Sequence, residues 1–367
     1  MKSGRIFVAA VLALALFAFP ARADITIGVA GPFTGANAEF GEQMKRGAAQ
    51  AVADIDAAGG VLGQKLVMRE ADDACDPKQA VSIANRMASE GVKFVVGHFC
   101  SGASIPASQV YHEEGVMMIT PSSTNPALTD AGFGNVFRTC GRDDQQGAVD
   151  GNYILAHFKG EKVAVMHDNS TAGRGQAEQV KKTLNEGGVK EVLFDSYVPG
   201  ERDYSALVSK LKQLGVQVLF LGGYVTESGL ITRQLKEQGA NVQVMSGDAM
   251  ASFEFSSIAG PAAGGVLFSF NPDPRKRPQA AKPIAELRKA GYEPEGYTLY
   301  SYAAVQVIAE DIKRAGAADP AKAEQAVRQS PVDTVIGPIG FDTKGDVTGN
   351  TYVLYRWKDG KYAEAGD

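Results

Sequence analysis

Short apolar runs alternate along the chain with longer stretches in which apolar residues recur every three or four positions. The short runs predict β-strands, and the longer stretches predict amphipathic helices. In the amino-terminal part, strands are predicted at 25–30, 66–70, 94–96 and 116–120, and helices at 40–58, 77–89 and 103–114. Strands that alternate with helices of this length are typical of βαβ units, so we expect parallel sheets and an α/β fold.

The same alternation begins again after residue 145. Its predicted helices are 146–157, 175–186, 204–214 and 228–238, and its predicted strands are 162–167, 192–197, 218–221 and 242–246. Further helices are predicted at 281–290, 297–314 and 320–328, before a Gly- and Asp-rich hairpin at 341–350. Two cycles of one pattern predict two similar lobes, with one large doubly wound domain as the alternative.

The first 23 residues have the pattern of a secretory signal peptide. Lys2 and Arg5 precede an apolar run at 6–19, and Ala21-Arg22-Ala23 supplies the small residues that a signal peptidase recognises. About 14 apolar residues are too few for a transmembrane helix, which needs about 20. We therefore expect cleavage after Ala23 and a soluble mature protein in the periplasm.

The charge of the chain argues against polyanionic partners. Cleavage leaves 344 of the 367 residues, enough for two domains, and removes three basic side chains, so that the formal charge changes from −5 to −8. The remaining sequence contains no basic run longer than the three residues at 275–277. We therefore expect neither nucleic acid nor an anionic membrane as a partner.

The sequence contains three cysteines, Cys75, Cys100 and Cys140. Two of them can pair in an oxidising compartment. Cys75 directly precedes a predicted helix start and Cys100 follows a predicted strand, and such termini meet at one edge of a parallel sheet. We therefore favour a Cys75–Cys100 disulfide, which leaves Cys140 as a free thiol, buried and inert.

Motifs of the common enzyme classes are absent from the sequence. There is no Gly-x-Ser-x-Gly elbow and no Walker loop, and the four histidines lie at unrelated spacings. Gly132-Phe133-Gly134 lacks the third glycine of a dinucleotide loop, and His112-Glu113-Glu114 lacks the second histidine of a zinc helix. We therefore expect no catalytic residue, no metal and no cofactor.

Small hydroxyl residues gather where two predicted strands end. Ser101 follows the first of these strands and Thr124 follows the next, each close to a predicted helix start. Ligands of open parallel sheets bind beyond the carboxyl ends of strands, and the free N–H groups of a helix start favour an anion. Ser101 and Thr124 can therefore form an uncharged carboxylate-binding site that is rich in hydrogen-bond donors. The alternative is that they only cap helices.

Several sequence segments point, in order, to one family. They are GPFTG at 31–35, DDACDPKQA at 72–80, VGHFCS at 96–101, MITP at 118–121, FRT at 137–139, GGY at 222–224 and VDTV followed by GP at 332–338. With them the chain resembles, over essentially all of its mature length, the leucine/isoleucine/valine-binding proteins of branched-chain amino acid ABC transporters.

The resemblance implies a type I periplasmic binding protein fold, in which two Rossmann-like lobes with parallel sheets are joined by three hinge crossings. One lobe would comprise residues 24–142 and 271–350, and the other residues 143–270 and 351–367. The resemblance also supports the Cys75–Cys100 disulfide.

The resemblance further implies that the ligand lies between the lobes. Its carboxylate would be held by side chains and backbone groups of Ser101, Ser122, Ser123 and Thr124. Its ammonium would be held partly by the same loop and partly by Asp248 of the second lobe. Tyr224 would close over this polar end.

The chain departs from the family pattern around the ligand. Asp248 replaces a longer glutamate, so that water is expected between it and the ammonium. Ala172 and Phe40 each replace a tyrosine, whereas Phe99 and Tyr297 stand where branched-chain binders often have leucine and phenylalanine. Phe99 adds bulk, and the hydroxyl of Tyr297 would be costly if unpaired in an apolar wall. We therefore expect alanine, valine, threonine, proline or 4-aminobutyrate to be preferred over leucine, with an ordinary leucine/isoleucine/valine binder as the alternative.

The expected function is that of the periplasmic binding component of an amino-acid ABC importer. Its partners would be a free amino acid and an inner-membrane ABC permease, and we expect a monomer. A ligand-sensing periplasmic module or an amide-binding regulator of the same fold is the alternative from another class. A hydrolase of amides or peptides is a further alternative, against which the missing catalytic motifs argue.

Overall fold

In a computed structural model, which describes residues 23–349 and 352–365, most strands belong to two large sheets. The first sheet has five parallel strands in the order β2-β1-β3-β4-β5. These strands are β1 (Ile25–Gly31), β2 (Leu66–Asp72), β3 (Phe94–Gly97), β4 (Met117–Thr120) and β5 (Val136–Arg138). The helices between them are α1 (Ala38–Ala57), α2 (Pro77–Ser89), α3 (Ser101–Glu113) and α4 (Ala127–Asp130).

Local sequence explains where these elements begin. The side chain of Asp76 accepts hydrogen bonds from the backbone N–H groups of Lys78 and Gln79, and Pro77 occupies the first helical position of α2. Strands β3 and β4 are buried along their whole length, as their continuous apolar sequences require in a parallel sheet.

The second sheet has seven strands in the order β14-β13-β10-β9-β8-β6-β7. Its parallel strands are β6 (Val163–His167), β7 (Leu193–Ser196), β8 (Val218–Gly222), β9 (Gln243–Ser246) and β10 (Leu267–Phe270). Strands β13 (Val353–Lys358) and β14 (Lys361–Glu364) extend it as an antiparallel edge. The accompanying helices are α5 (Asp143–His157), α6 (Thr171–Glu186), α7 (Ser205–Leu214), α8 (Val225–Glu237) and α9 (Phe253–Ala259).

The segment between β10 and β13 returns to the first sheet. It contains α10 (Ala281–Lys289), α11 (Thr298–Ala315) and α12 (Pro320–Val327), followed by a hairpin of β11 (Val332–Thr334) and β12 (Gly337–Ile339). Helix α11 packs against α1 and also contacts β3 and β4. We call the five-stranded sheet with its helices the first lobe and the seven-stranded sheet with α5–α9 the second lobe. The two parallel-sheet lobes confirm the predicted α/β fold, and the chain passes between them three times.

Some elements differ from the prediction. The sequence predicted only the start of α4, and it did not predict α9, β5, β13 or β14. The hairpin expected at 341–350 is reduced to a single bridge between Phe341 and Val347. The paired hairpin strands lie just before it, at β11 and β12. The predicted signal peptide lies outside the described residues, except for Ala23. Within the described part of the chain, no helix has both the length and the apolar character needed to cross a membrane.

Candidate functional site

A disulfide stabilises the amino-terminal side of the cleft between the lobes. Cys75 and Cys100 are joined, with their Cα atoms 5.5 Å apart, which is the pairing that the sequence favoured. The bond connects the loop before α2 to the loop between β3 and α3, so that Ser101 at the start of α3 is firmly positioned. Cys140 is a buried free thiol, and burial raises its pKa well above the usual value, which keeps it unreactive.

Hydroxyl groups join the loop after β3 to the loop after β4. The Thr120 hydroxyl donates to the backbone oxygen of His98 at 2.7 Å, and the Ser122 and Ser123 hydroxyls donate to the backbone oxygen of Phe99 at 3.1 and 2.8 Å. These bonds bring the carboxyl ends of β3 and β4 together, as the strand-end argument predicted.

Ser101 faces this pair of loops from the first turn of α3. Its Oγ accepts a hydrogen bond from the backbone N–H of Asn125 at 3.3 Å. Because the oxygen acts as an acceptor there, its own proton remains available to a ligand. This bond connects α3 to the loop after β4, and neither α3 nor α4 has a side-chain hydrogen bond from its N-cap residue, so helix capping does not account for Ser101.

Arg138 at the end of β5 fixes the loop after β4 on the side that faces away from the cavity. Its guanidinium is fully buried and donates to the backbone oxygens of Ser123 at 2.6 Å and Asn125 at 3.1 Å. Its Nε lies 2.7 Å from Oδ1 of Asp346, which supplies the balancing charge. The loop that carries Thr124 is thus fixed by a buried ion pair.

A cavity lies between the lobes at the carboxyl ends of β3, β4, β6, β8 and β9. Including its opening to solvent, the space free of protein atoms is about 390 Å³. Its lining consists of Phe99, Ser101, Ser122, Thr124, Asp143, Ala172, Gly173, Gln176, Gly223, Tyr224, Asp248 and Ala249. Both lobes therefore contribute to one site.

The structure places seven of the ten predicted ligand-binding residues on this lining, namely Phe99, Ser101, Ser122, Thr124, Ala172, Tyr224 and Asp248. Ser123, Phe40 and Tyr297 lie behind the lining, and each of them contacts Phe99. The Phe40 ring stacks on Phe99 with centroids 4.7 Å apart, and Tyr297 meets Phe99 edge-on at 5.5 Å. Phe40 also lies 5.9 Å from the Tyr224 ring, so an aromatic cluster spans one end of the cavity.

Asp248 is the predicted acid of the second lobe. Its Oδ1 accepts from the side-chain amide of Gln176 at 3.1 Å, and its Oδ2 accepts from the Tyr297 hydroxyl of the first lobe. Burial raises the pKa of Asp248, while the hydrogen bonds from Tyr297 and Gln176 oppose this shift.

The contact with Asp248 corrects one step of the specificity argument. The Tyr297 hydroxyl is paired, so it does not penalise an apolar ligand by being left without a partner. The prediction of a narrowed side-chain pocket therefore depends on the bulk of Phe99, whose ring is supported from behind by Phe40.

Sequence reasoning missed Asp143 and Gln176. Asp143 is the first residue of α5 and Gln176 lies one turn into α6, and both line the cavity. Acidic and amide side chains are common in the first turns of helices, so their type alone did not single them out. The position of Asp143, four residues after the FRT segment, was the available signal. In the described part of the chain, no group of three or more His, Cys, Asp or Glu side chains is arranged to hold a metal ion.

Comparison with known proteins gives consistent results. A family model described as periplasmic binding protein matches residues 24–361. The chain is 50% identical over 357 residues to "Leu/Ile/Val-binding protein homolog 1" of Brucella suis biovar 1, covering 96% of each chain. It is 48% identical over 369 residues to an "Amino acid binding protein" of Pseudomonas aeruginosa, covering 98% of this chain and 99% of that one.

One solved structure is a branched-chain amino acid transporter substrate-binding protein of Streptococcus pneumoniae in complex with isoleucine. It matches with a TM-score of 0.85 at 26% identity, over 92% of this chain and 97% of that one. The similarity therefore extends across both lobes.

Proposed function

We propose that this chain, which belongs to the periplasmic binding protein family, binds a small amino acid between its lobes and passes it to a membrane transporter. Its family consists of solute-binding proteins and not of enzymes. The observation that carries the proposal is the polarity of the cavity, with hydroxyl donors on the first lobe and an acid on the second. A zwitterion is complementary to this arrangement.

The ligand carboxylate is held by the Ser101 and Thr124 hydroxyls and by backbone groups of the loop at 122–124. The ammonium faces Asp248, and Tyr224 covers this polar end from the second lobe. Charge-assisted hydrogen bonds at both ends of the ligand are compatible with a micromolar dissociation constant, about −8 kcal/mol. The names of the Brucella and Pseudomonas relatives support an amino acid as the ligand class.

Within that class, we propose that alanine, valine, threonine, proline or 4-aminobutyrate binds more tightly than leucine. The Phe99 ring stands on the cavity lining and is supported from behind by Phe40, so it cannot easily move aside for a longer side chain. Forcing extra methylene groups against such a wall costs about 1–3 kcal/mol.

We further propose that the protein acts in the periplasm as a monomer and delivers its ligand to an inner-membrane ABC permease. The proposed export signal ends at Ala23, and its cleavage would leave Asp24 as the first residue. Amino-terminal sequencing of protein recovered from the periplasm tests this assignment, since any other first residue contradicts it.

Isothermal titration of ligand-stripped protein, residues 24–367, against a panel of amino acids tests the function. We expect saturable binding of alanine, proline or 4-aminobutyrate and weaker binding of leucine. If leucine binds most tightly, the prediction of a narrowed pocket is wrong, but the proposed amino-acid-binding function is still supported. If none of the amino acids binds, the proposed function is wrong.

Phe99→Leu tests the specificity argument directly. The smaller side chain leaves more space in the pocket for the ligand side chain. The binding free energy of leucine should therefore become about 1–3 kcal/mol more favourable, roughly a 5- to 150-fold gain in affinity. Phe133→Leu is the matched control, because Phe133 stacks on His112 and does not line the cavity. An unchanged leucine affinity in Phe99→Leu would contradict the argument.

A further inference from the structure

Carboxyl groups of both lobes meet at the interface between the lobes, outside the ligand cavity. Glu295 lies two residues before Tyr297, is only 7% exposed and accepts a hydrogen bond at 2.5 Å from the backbone N–H of Phe253 in the second lobe. Glu39 of α1 lies close enough for its carboxyl group to share a hydrogen bond with that of Glu295. Such a bond requires a proton, because ionised carboxylates only accept hydrogen bonds.

A third carboxyl group approaches this pair from the second lobe. Glu254 follows Phe253 on α9 and is half-buried, and its Oε2 is buried without a hydrogen-bond partner among the described residues. The charge of Glu39 disfavours the ionised form of Glu254. Contact between the lobes therefore brings like charges of the two lobes together.

The charges that act on Glu295 come from several elements. Burial is the main cause that raises the pKa of Glu295 past neutrality, and Glu39 adds to the shift, while the N–H of Phe253 opposes it. Arg275 also opposes the shift, but its guanidinium already pairs with Asp273 at 2.9 Å. The other titratable groups around the pair are Glu254 on α9, Glu42 on α1, Tyr292 before α11 and Tyr362 on β14.

We propose that the carboxyl groups of Glu39 and Glu295 take up one proton when the lobes close, so that the protein holds its ligand more tightly at acidic than at alkaline pH. This inference rests on the proposed function, because it requires a ligand that closes the lobes. The shared proton replaces repulsion between two carboxylates by a hydrogen bond. The N–H of Phe253 donates to the negative charge that remains, and the proton comes from the buffer.

Glu39 and Glu295 stay together when the lobes separate, but their surroundings change. Both belong to the first lobe, where the backbone N–H of Tyr297 donates to the side-chain oxygen of Gln43 on α1 at 3.0 Å and joins the two segments. Helix α9 and strand β14 move away with the second lobe, and water reaches the pair. The burial of Glu295 therefore belongs to the closed form, and in the open form its pKa lies nearer the ordinary value of 4.5.

The sign of the pH effect follows from this difference between the two forms. Closing raises the pKa of Glu295, so ligand binding takes up protons at any pH between the values of the open and closed forms. From this pair, the affinity should fall as the pH rises from about 6 to about 8.5, by up to tenfold per pH unit. An acid that ionises in order to contact a ligand ammonium has the opposite effect, so the two kinds of group are distinguishable.

The experiment is a set of calorimetric titrations of wild type, Glu295→Gln, Glu39→Gln and Glu293→Gln from about pH 6 to about pH 8.5. The ligand is alanine, or leucine if leucine is the tighter ligand, and each titration is repeated in two buffers with different ionisation enthalpies. Glu293→Gln is the matched control, because Glu293 lies close to Glu295 in the chain but is 43% exposed and pairs with Arg288 at 2.7 Å.

The amide in Glu295→Gln accepts from Phe253 and donates to Glu39, so it reproduces the protonated carboxyl group without titrating. We expect Glu295→Gln to match the affinity of wild type within about threefold at pH 6 and to bind at least about tenfold more tightly at pH 8.5. Near pH 7, wild type should take up roughly one proton more per bound ligand than Glu295→Gln does. Glu39→Gln should behave like Glu295→Gln, since either amide supplies the donor, and Glu293→Gln should follow wild type.

Other outcomes separate the inference from the function. If wild type binds and its proton uptake equals that of Glu295→Gln, the pair takes up no proton on closing and the inference is wrong. A change of affinity in Glu295→Gln that is equal at every pH also overturns it, because it indicates a structural role. So does a Glu39→Gln variant that keeps the pH dependence of wild type, because the proton is then not shared.

Failure of wild type to bind any amino acid would overturn the proposed function, and this inference with it. Thermal unfolding of each empty variant at each pH establishes that the variants are folded.

Discussion

Tyr297 connects the two lobes through its hydroxyl group. The residue directly precedes α11, its ring packs edge-on against Phe99 and Phe270, and its hydroxyl donates to Asp248 of the second lobe. The tyrosine therefore orients the acid that is proposed to face the ligand ammonium. Its effect on binding should then be common to all amino acids and not selective for small ones.

Tyr297→Phe should weaken the binding of every ligand in the panel by a similar factor. Removing a donor to a buried carboxylate costs about 1–3 kcal/mol, roughly 5- to 150-fold in the dissociation constant measured by calorimetry. Tyr302→Phe is the matched control, because that hydroxyl donates to Asp54 at 2.9 Å and does not line the cavity. A selective gain for leucine with no loss for alanine would contradict this role.

The sequence predicted the first-lobe side of the site better than the second-lobe side. Ser101 and Thr124 directly follow apolar strands, and a residue at a strand end has a known location in a parallel sheet. Asp143 and Gln176 lie at or near helix starts, where polar residues are frequent for reasons unrelated to ligands. Their presence in the cavity depends on how the lobes approach each other, which the local pattern does not contain.

Strand β5 matters more for the site than its three residues indicate. Through Arg138 it joins the loop that carries Thr124 to Asp346, which lies between β12 and β13. Arg142, just before α5, also pairs with Asp346 at 2.7 Å. Two of the three passages between the lobes therefore meet at one carboxylate.

Arg138→Leu should destabilise the protein and weaken ligand binding. Losing one partner of a buried ion pair costs about 3–5 kcal/mol, which urea unfolding measures as a lower free energy of unfolding. Arg174→Leu is the control, because its pair with Glu178 is exposed and should contribute at most about 1 kcal/mol. Equal stability losses in the two variants would refute the special role of Arg138.

The alternating pattern identified the long elements of both sheets and missed the short or edge elements. Strand β5 and helix α4 have three and four residues, too few to show a period. Strands β13 and β14 form an antiparallel edge that the βαβ pattern does not predict, since no helix separates them from a parallel neighbour. The place of β13 is set by its pairing with β10, and that of β14 by its pairing with β13.

The two lobes contact each other directly on more than one side of the cavity. Besides the Tyr297–Asp248 bond, the Asn125 side chain donates to the backbone oxygen of Thr171 at 3.0 Å. The backbone N–H of Phe253 donates to the Glu295 carboxyl group at 2.5 Å. We propose that the passages near 139–142, 271–273 and 340–349 act as the hinges that make and break these contacts.

Ligand binding should therefore close the molecule and stabilise it. Small-angle scattering should give a smaller radius of gyration with ligand than without it. At a free ligand concentration of 100 times the dissociation constant, the free energy of unfolding should increase by about 2.7 kcal/mol. The double variant Ser101→Ala/Thr124→Val is the control and should show neither change. Stabilisation without compaction would argue against the proposed hinges.

The last described strands determine when folding can finish. Trp357 on β13 is fully buried against Phe255 and Phe268, and β13 pairs with β10, more than 80 residues earlier in the chain. The first lobe likewise needs α11, which packs on α1. A chain that emerges amino terminus first, from a ribosome or a secretion pore, therefore completes neither lobe until its final third has appeared. Because both hydrophobic cores form late, the polypeptide remains unfolded during most of its synthesis or export. Its apolar side chains are exposed during that time and need a chaperone.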